Sequence, residues 1–127
     1  MTDILSSQFE IKDSGAREEF PTGSVRDTRR EKGRFDLLSP VALERLARWS
    51  EMGATKYGDR NWEKGQPLSR YMDSALRHLN KHLMGYRDED HLAAAMWNVA
   101  AMIHTEYECV RGALPTELID LPNFIDP

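Results

Sequence analysis

The 127-residue sequence holds a single cysteine, Cys109. A lone thiol excludes an internal disulfide framework and any cysteine-rich zinc site. It suits a reducing compartment, and a cytoplasmic location is expected. No apolar run is long enough to cross a bilayer, so no membrane partner is expected. The opening stretch Met1-Thr-Asp-Ile-Leu-Ser-Ser lacks a basic segment followed by an apolar one, and no signal peptide is read there. Positive charge is short as well. A net charge of −4 and a pI near 5.6 argue against a nucleic-acid polymer as partner, since such proteins are normally basic. Walker spacing is missing, so P-loop chemistry is unsupported. There is no Gly-x-Ser-x-Gly elbow, and Cys109 has no activating neighbour in sequence, which disfavours nucleophilic catalysis. What remains is a chain 30% charged and 40% hydrophobic. That composition fits one small domain, able to bury roughly two-thirds of its unfolded surface.

The charge is unevenly spread. Arg26, Arg29, Arg30, Lys32 and Arg34 crowd one short stretch, punctuated by Gly23 and Gly33. No apolar period is sustained there, so residues 1–38 read as an irregular basic arm without strands. An all-α body follows over residues 39–112, a small bundle of three main helices. Ser39-Pro40 suits a helix start, with Ser at the N-cap and Pro at the first helical position. Val41, Leu43, Leu46, Ala47, Trp49, Met52 and Gly53 recur near helical spacing and carry the first helix to about Tyr57, where Gly58-Asp59 stops it. A turn-rich loop, Asn61 to Pro67, leads to Ser69, the expected start of a second helix. Its apolar positions are Tyr71, Met72, Ala75, Leu76, Leu79 and Leu83, and Gly85 ends it. The acids Asp88, Glu89 and Asp90 favour the positive start of a third helix. That helix carries Leu92, Ala95, Met96, Val99, Met102 and Ile103 as its apolar set and closes at Gly112. Residues 113–127 form an extended tail with Leu118, Ile119, Leu121, Phe124 and Ile125, expected to lie in a groove or on a partner subunit.

Polar residues with chemical potential gather on the second and third helices. His78 and His82 are four apart and share a face, a spacing that can grip a metal. Asp73 and Arg77 are also four apart, which equally suits a solvated ion pair. Asp88, Glu89, Asp90 and His91 form a denser cluster than helix capping requires, and clustered carboxylates are what Mg²⁺ or Mn²⁺ uses. Asn98 sits between Trp97 and Val99 in an apolar helix, where a buried amide is either a satisfied structural group or a ligand reader. Glu51 lies on the first helix, and Lys56, Asn61 and Trp62 follow it. An aromatic ring beside a cation and an amide suits a base held by stacking, or, more commonly, a loop packed on the bundle. Arg34 and Lys32 of the arm suit phosphate oxygens.

Several runs together resemble a known family. They are Ser14-Gly-Ala-Arg17, Lys32-Gly-Arg-Phe-Asp-Leu37, Gly53-Ala54-x-Lys56-Tyr57-Gly58-x-x-Asn61-Trp62, Asp73-Ser-Ala-x-Arg77-His78-Leu79 and Asp88-Glu-Asp-His-Leu92 with Trp97-Asn98. In this order they resemble the phage and prophage family labelled dATP/dGTP diphosphohydrolase N-terminal domain, grouped with MazG-like all-α nucleotide pyrophosphohydrolases. The likeness covers roughly residues 12 to 122. It implies an oligomeric helical bundle that cuts a purine (deoxy)nucleoside triphosphate to monophosphate and pyrophosphate with Mg²⁺ or Mn²⁺.

On that basis Asp73, His78, Glu89, Asp90 and His91 are the expected catalytic set. Glu51, Asp73, Glu89 and Asp90 are the expected metal ligands. Lys32, Arg34, Lys56, Asn61, Trp62, Arg77 and Asn98 are the expected substrate contacts. MazG-type enzymes carry a Glu-Glu-x-x-Glu run on one helix and Glu-x-x-Asp on the next. Here the second helix offers Asp73, Arg77 and His78, and three residues past Asp90 stands Ala93. Either His78 and His91 replace carboxylates, or the protein binds nucleotide without cutting it. A third reading is a structural helical oligomer.

Overall fold

The computed structural model describes residues 9–123, and the tail residues Phe124 and Ile125 lie outside them. The chain divides into two compact units, one ending at Leu37 and the other beginning at Leu38.

The first unit contains a small antiparallel hairpin, where the sequence pattern suggests an irregular arm without strands. Strand β1 (Arg17–Glu19) pairs with β2 (Val25–Asp27) in the register Arg17↔Asp27, Glu18↔Arg26, Glu19↔Val25. Its turn closes through Phe20 N–H to Ser24 O at 2.9 Å, with Gly23 at φ +87°. Alternating apolar residues do not hold this hairpin, so periodicity cannot reveal it. Charge holds it instead. The Asp27 carboxylate accepts from the Ser14 hydroxyl and from Lys32 Nζ at 2.9 Å, and Arg17 lies 3.3 Å away. Ser14 foremost, and then Lys32, hold Asp27 down to about 2.

The second unit is helical: α1 (Pro40–Tyr57), α2 (Leu68–Leu83) and α3 (His91–Val110). Ser39 caps α1, its Oγ accepting from Ala42 N–H at 3.1 Å, with Pro40 at the first helical position. Helix α2 starts one residue before Ser69. Its N-cap is Pro67, whose hydrocarbon ring offers no acceptor, and the orphan N–H of Ser69 is met from the far end of the unit. Asp120 accepts from Ser69 N–H at 2.9 Å and from Ser69 Oγ at 2.5 Å. The described part of the tail therefore packs on its own helices, and Leu121 joins the core formed by Leu68, Tyr71 and Ala101.

The helices turn a different face inward from the one their largest apolar residues suggest. On α2 the buried stripe is Leu68, Tyr71, Ala75 and His78, while Leu76, Leu79 and Leu83 are exposed. On α3 the buried set includes His91, Ala94, Asn98, Ala101, Thr105 and Cys109, while Val99 and Ile103 are exposed. Small and polar side chains let the two backbones approach closely, and that seam is the most extensive packing in the unit. Helix α1 has no buried residue. It presents Ala42, Leu46, Trp49 and Gly53 half-buried.

Between α1 and α2, a 3-10 turn (Asn61–Lys64) ends at Gly65, whose φ is +98°. A Cβ there would meet Leu118 Cδ1 at 2.9 Å and Leu114 Cδ1 at 3.2 Å. Both the backbone conformation and the space reject a side chain. Gly65→Ala is therefore expected to lower stability by about 2 kcal/mol, roughly 5–10 °C in thermal midpoint. An unchanged melting curve would show that the tail does not clamp this turn.

Candidate functional site

A cavity of about 1300 Å³ opens in the helical unit, beyond the roughly 300–1,000 Å³ of a usual small-molecule cleft. Its walls come from one face of α2, the C-terminal half of α1, the turn around Asn61 and the start of α3. Helix α2 supplies Arg70, Asp73, Ser74, Arg77 and His78, spaced as one helical face requires. Helix α1 adds Trp49, Lys56 and Tyr57, and α3 adds His91 and Asn98.

The walls are cationic with aromatic interruptions. Among the described residues, Lys56, Arg70 and Arg77 have no carboxylate partner. Arg77 donates to Ser74 Oγ at 3.1 Å and makes no ion pair with Asp73. Lys56 Nζ lies 5.1 Å from the Tyr57 ring centroid. Arg70 is not among the contacts expected from the sequence, although its seven-residue spacing from Arg77 places both on one face. Trp62 lines the cavity and also holds its loop down. Its ring meets Trp97 edge-on at 6.4 Å and His104 at 4.9 Å, and its carbonyl accepts from the Tyr71 hydroxyl at 3.3 Å. Asn98, a lining residue, donates from Nδ2 to Ala94 O at 2.8 Å, and its amide oxygen has no described hydrogen-bond partner.

At the floor, His78 and His91 are buried, and their Nδ1 atoms lie 2.9 Å apart. Trp49 packs edge-on against His78 at 5.8 Å. Burial is the largest influence on His78 and pushes its pKa below the usual imidazole value, with Arg77 acting the same way. On its other side His91 Nε2 meets Asp88 Oδ1 at 2.9 Å. Asp88 is held below the ordinary carboxylate range, chiefly by that hydrogen bond. His78, Glu89 and His91 offer ligand atoms all within 4.8 Å of one another, a cluster able to hold a metal ion. Two imidazoles and one carboxylate make a nitrogen-rich set. Such donors fit Mn²⁺ better than Mg²⁺, which favours oxygen.

The expected carboxylate ligands are not all brought together. Glu51 does not line the cavity. It stands two residues from both Trp49 and Gly53, about 200° round the helix from the inward face. Asp73 lines the wall outside the His–Glu–His cluster. Asp90 is engaged elsewhere. It caps α3 by accepting from Ala93 N–H at 3.1 Å, and both its oxygens face the Arg45 guanidinium, one at 2.8 Å from Nε. His82, paired with His78 in the sequence reading, instead lies beside Arg87 at 3.4 Å. The arm residues belong to the first unit, where Lys32 pairs with Asp27 at 2.9 Å and Arg34 with Asp36 at 2.8 Å.

A family model described as dATP/dGTP diphosphohydrolase, N-terminal, matches residues 22–111. No curated protein and no solved structure matches the chain.

Arg45 holds Asp90 down to about 2 from an ordinary 3.8. A depressed carboxylate contributes stability at pH above its ordinary value and loses it as pH falls through the folded value. Arg45→Ala is expected to move the Asp90 titration up toward 3.8 in carboxyl NMR. The variant should also lose less stability than the wild type on acidification from neutral pH to about 2. An Asp90 titration unmoved by the substitution would disprove the assigned pairing.

Proposed function

The chain belongs to the dATP/dGTP diphosphohydrolase N-terminal family, and from that membership we propose that it hydrolyses a purine (deoxy)nucleoside triphosphate to the monophosphate and pyrophosphate. The observation that carries this reading is the joining, in one cavity, of unpaired cations with a His–Glu–His cluster whose two imidazoles are buried. Lys56, Arg70 and Arg77 neutralise the triphosphate, whose charge is otherwise too great to enter a site rimmed by Asp73 and Glu89. The open amide oxygen of Asn98, with Asn61 and the Trp62 ring, orients the purine. Attack of water at the α-phosphorus forms one P–O bond and breaks the bond to the α–β bridging oxygen, which leaves with pyrophosphate. His78, Glu89 and His91 would hold a divalent cation, Mn²⁺ in preference to Mg²⁺ on that donor set, which would supply Lewis-acid stabilisation of charge on the phosphate oxygens.

A second copy of the chain is part of this reading. Leu76, Leu79 and Leu83 on α2, with Val99, Ile103 and Val110 on α3, are exposed at helical spacing, at 42–84% of their full surface. Stripes of that size on a single chain favour burial against another subunit. A homo-oligomer working in the cytoplasm is the arrangement we propose. No described helix is long and apolar enough to cross a membrane. Sedimentation at micromolar concentration is expected to give a species heavier than 14.6 kDa. A clean monomer would contradict it.

The activity is tested by incubating the full chain with dATP, dGTP and other nucleotides plus Mn²⁺ and measuring pyrophosphate. Release is expected, with losses of about 100-fold or more for His78→Ala and Glu89→Gln. Tight nucleotide binding with the ligand recovered intact would favour sequestration over hydrolysis.

A further inference from the structure

The C-terminal tail has been given no part in the site, and none of its described residues lines the cavity. It is nevertheless built as a strap tied at two points. At the near end, Ala113 N–H and Leu114 N–H both donate to Glu108 O, at 2.9 and 3.2 Å, and Cys109 Sγ donates to Pro115 O at 3.3 Å. Farther along, Asp120 accepts from the backbone N–H and the hydroxyl of Ser69 at the start of α2. A short 3-10 turn (Thr116–Leu118) lies between the two ties.

Under this strap lies the turn between α1 and α2. Leu114 and Leu118 fill the space beside Gly65 and leave no room there for a Cβ. Gly65 N–H donates to Trp62 O at 3.1 Å, and the Tyr71 hydroxyl donates to the same oxygen at 3.3 Å. The residue against which the strap packs is thus bonded directly to the backbone of Trp62. Leu121 packs with Trp62 and Trp97 on the core of Leu68, Tyr71 and Ala101. The turn has need of such support. It is entered through Arg60 at φ +57°, a left-handed state that a residue with a side chain keeps where its surroundings hold it. Asn61 and Trp62, which this turn carries, line the cavity. The cations on α2 are placed independently of the strap, by the helix itself, and Arg70 N–H is bonded to Pro67 O at 3.0 Å within the first turn.

We propose that Asp120 is a positioning residue for base recognition. By tying the tail to Ser69 it keeps Leu114 and Leu118 on Gly65, and so holds Asn61 and Trp62 in place before a ligand arrives. The bearing on the base rests on the nucleotide reading above, whereas the hold on the turn does not. Each side chain that is ordered only on binding lowers affinity, and two left loose weaken it about tenfold.

The test compares the full chain with Asp120→Ala, Asp120→Asn and Leu118→Ala. Calorimetry without metal uses dATP, dGTP and inorganic tripolyphosphate, which carries the phosphates and no base. Asp120→Ala should bind the nucleotides about tenfold more weakly and tripolyphosphate as the wild type does. Leu118→Ala leaves the Ser69 tie intact and should show the same split, so it carries the test if Asp120→Ala loses helicity. Asp120→Asn keeps an oxygen for Ser69 N–H and should bind close to the wild type. The edge-on rings of Trp62 and Trp97, 6.4 Å apart, give a circular-dichroism couplet that Trp62→Phe identifies by its loss. That couplet should persist in Asp120→Asn and weaken in Asp120→Ala and Leu118→Ala, at a temperature where helicity matches the wild type. Unchanged nucleotide binding in the folded Ala variants would overturn the proposal, as would an equal loss of nucleotide and tripolyphosphate, or an unmoved couplet. If the split appears but no pyrophosphate is released from any nucleotide with Mn²⁺, the hydrolase reading fails and the positioning role stands. If pyrophosphate is released and the split is missing, the positioning role fails alone.

Discussion

The helical unit depends on the close approach of α2 to α3, and where they meet two buried imidazoles lie within hydrogen-bond distance of each other. A buried polar group without a partner costs more than most single contacts return. His78 and His91 satisfy each other across the seam, and the side chains around them are small enough to let them meet. Ala75, Ala94 and Ala101 do not fill space so much as leave room for it. The loop between the helices is then tied down at alternate residues, with Asp88 on His91 and Asp90 on Arg45 and the first turn of α3. The cavity is the space this arrangement leaves beside the seam.

Much of the fold was legible in the sequence. Ser39-Pro40 marks the start of α1 for a reason any helix shares, the need to satisfy its first amide hydrogens. The three helices and their glycine stops follow from spacing and from left-handed backbone, as Gly58 and Gly85 show. The facing of the helices was not legible. Leu76, Leu79 and Leu83 read as a core stripe because leucine is the usual core residue. The seam instead prefers Tyr71, Ala75 and His78, and that choice shows only when the partner helix is known to offer alanines and an asparagine. The hairpin was hidden for a related reason, since charge pairs around Asp27 leave no apolar alternation.

The candidate site was legible as a set of residues more than as an assignment of roles. Three adjacent acids look interchangeable in a sequence. In the fold the backbone turns between them, and they point to an imidazole, a metal-type cluster and a guanidinium. Only tertiary contacts separate those roles. His82 shows the limit of helical spacing as a guide. It stands four residues after His78, yet its near neighbour is Arg87, while the partner of His78 comes from another helix.

Helix α1 differs in kind from the other two. It has eighteen residues and buries none of them fully. Beyond its half-buried face, it is tied to the rest of the unit by the polar pairing of Arg45 with Asp90, near its N-terminal end. Its other end carries Lys56 and Tyr57 into the cavity wall. Elements with few buried contacts open at far lower free energy than a packed pair does. The α2–α3 pair can therefore stay intact while the far end of α1 lifts from it. Amide exchange along α1 is then expected to rise from Arg45 toward Tyr57.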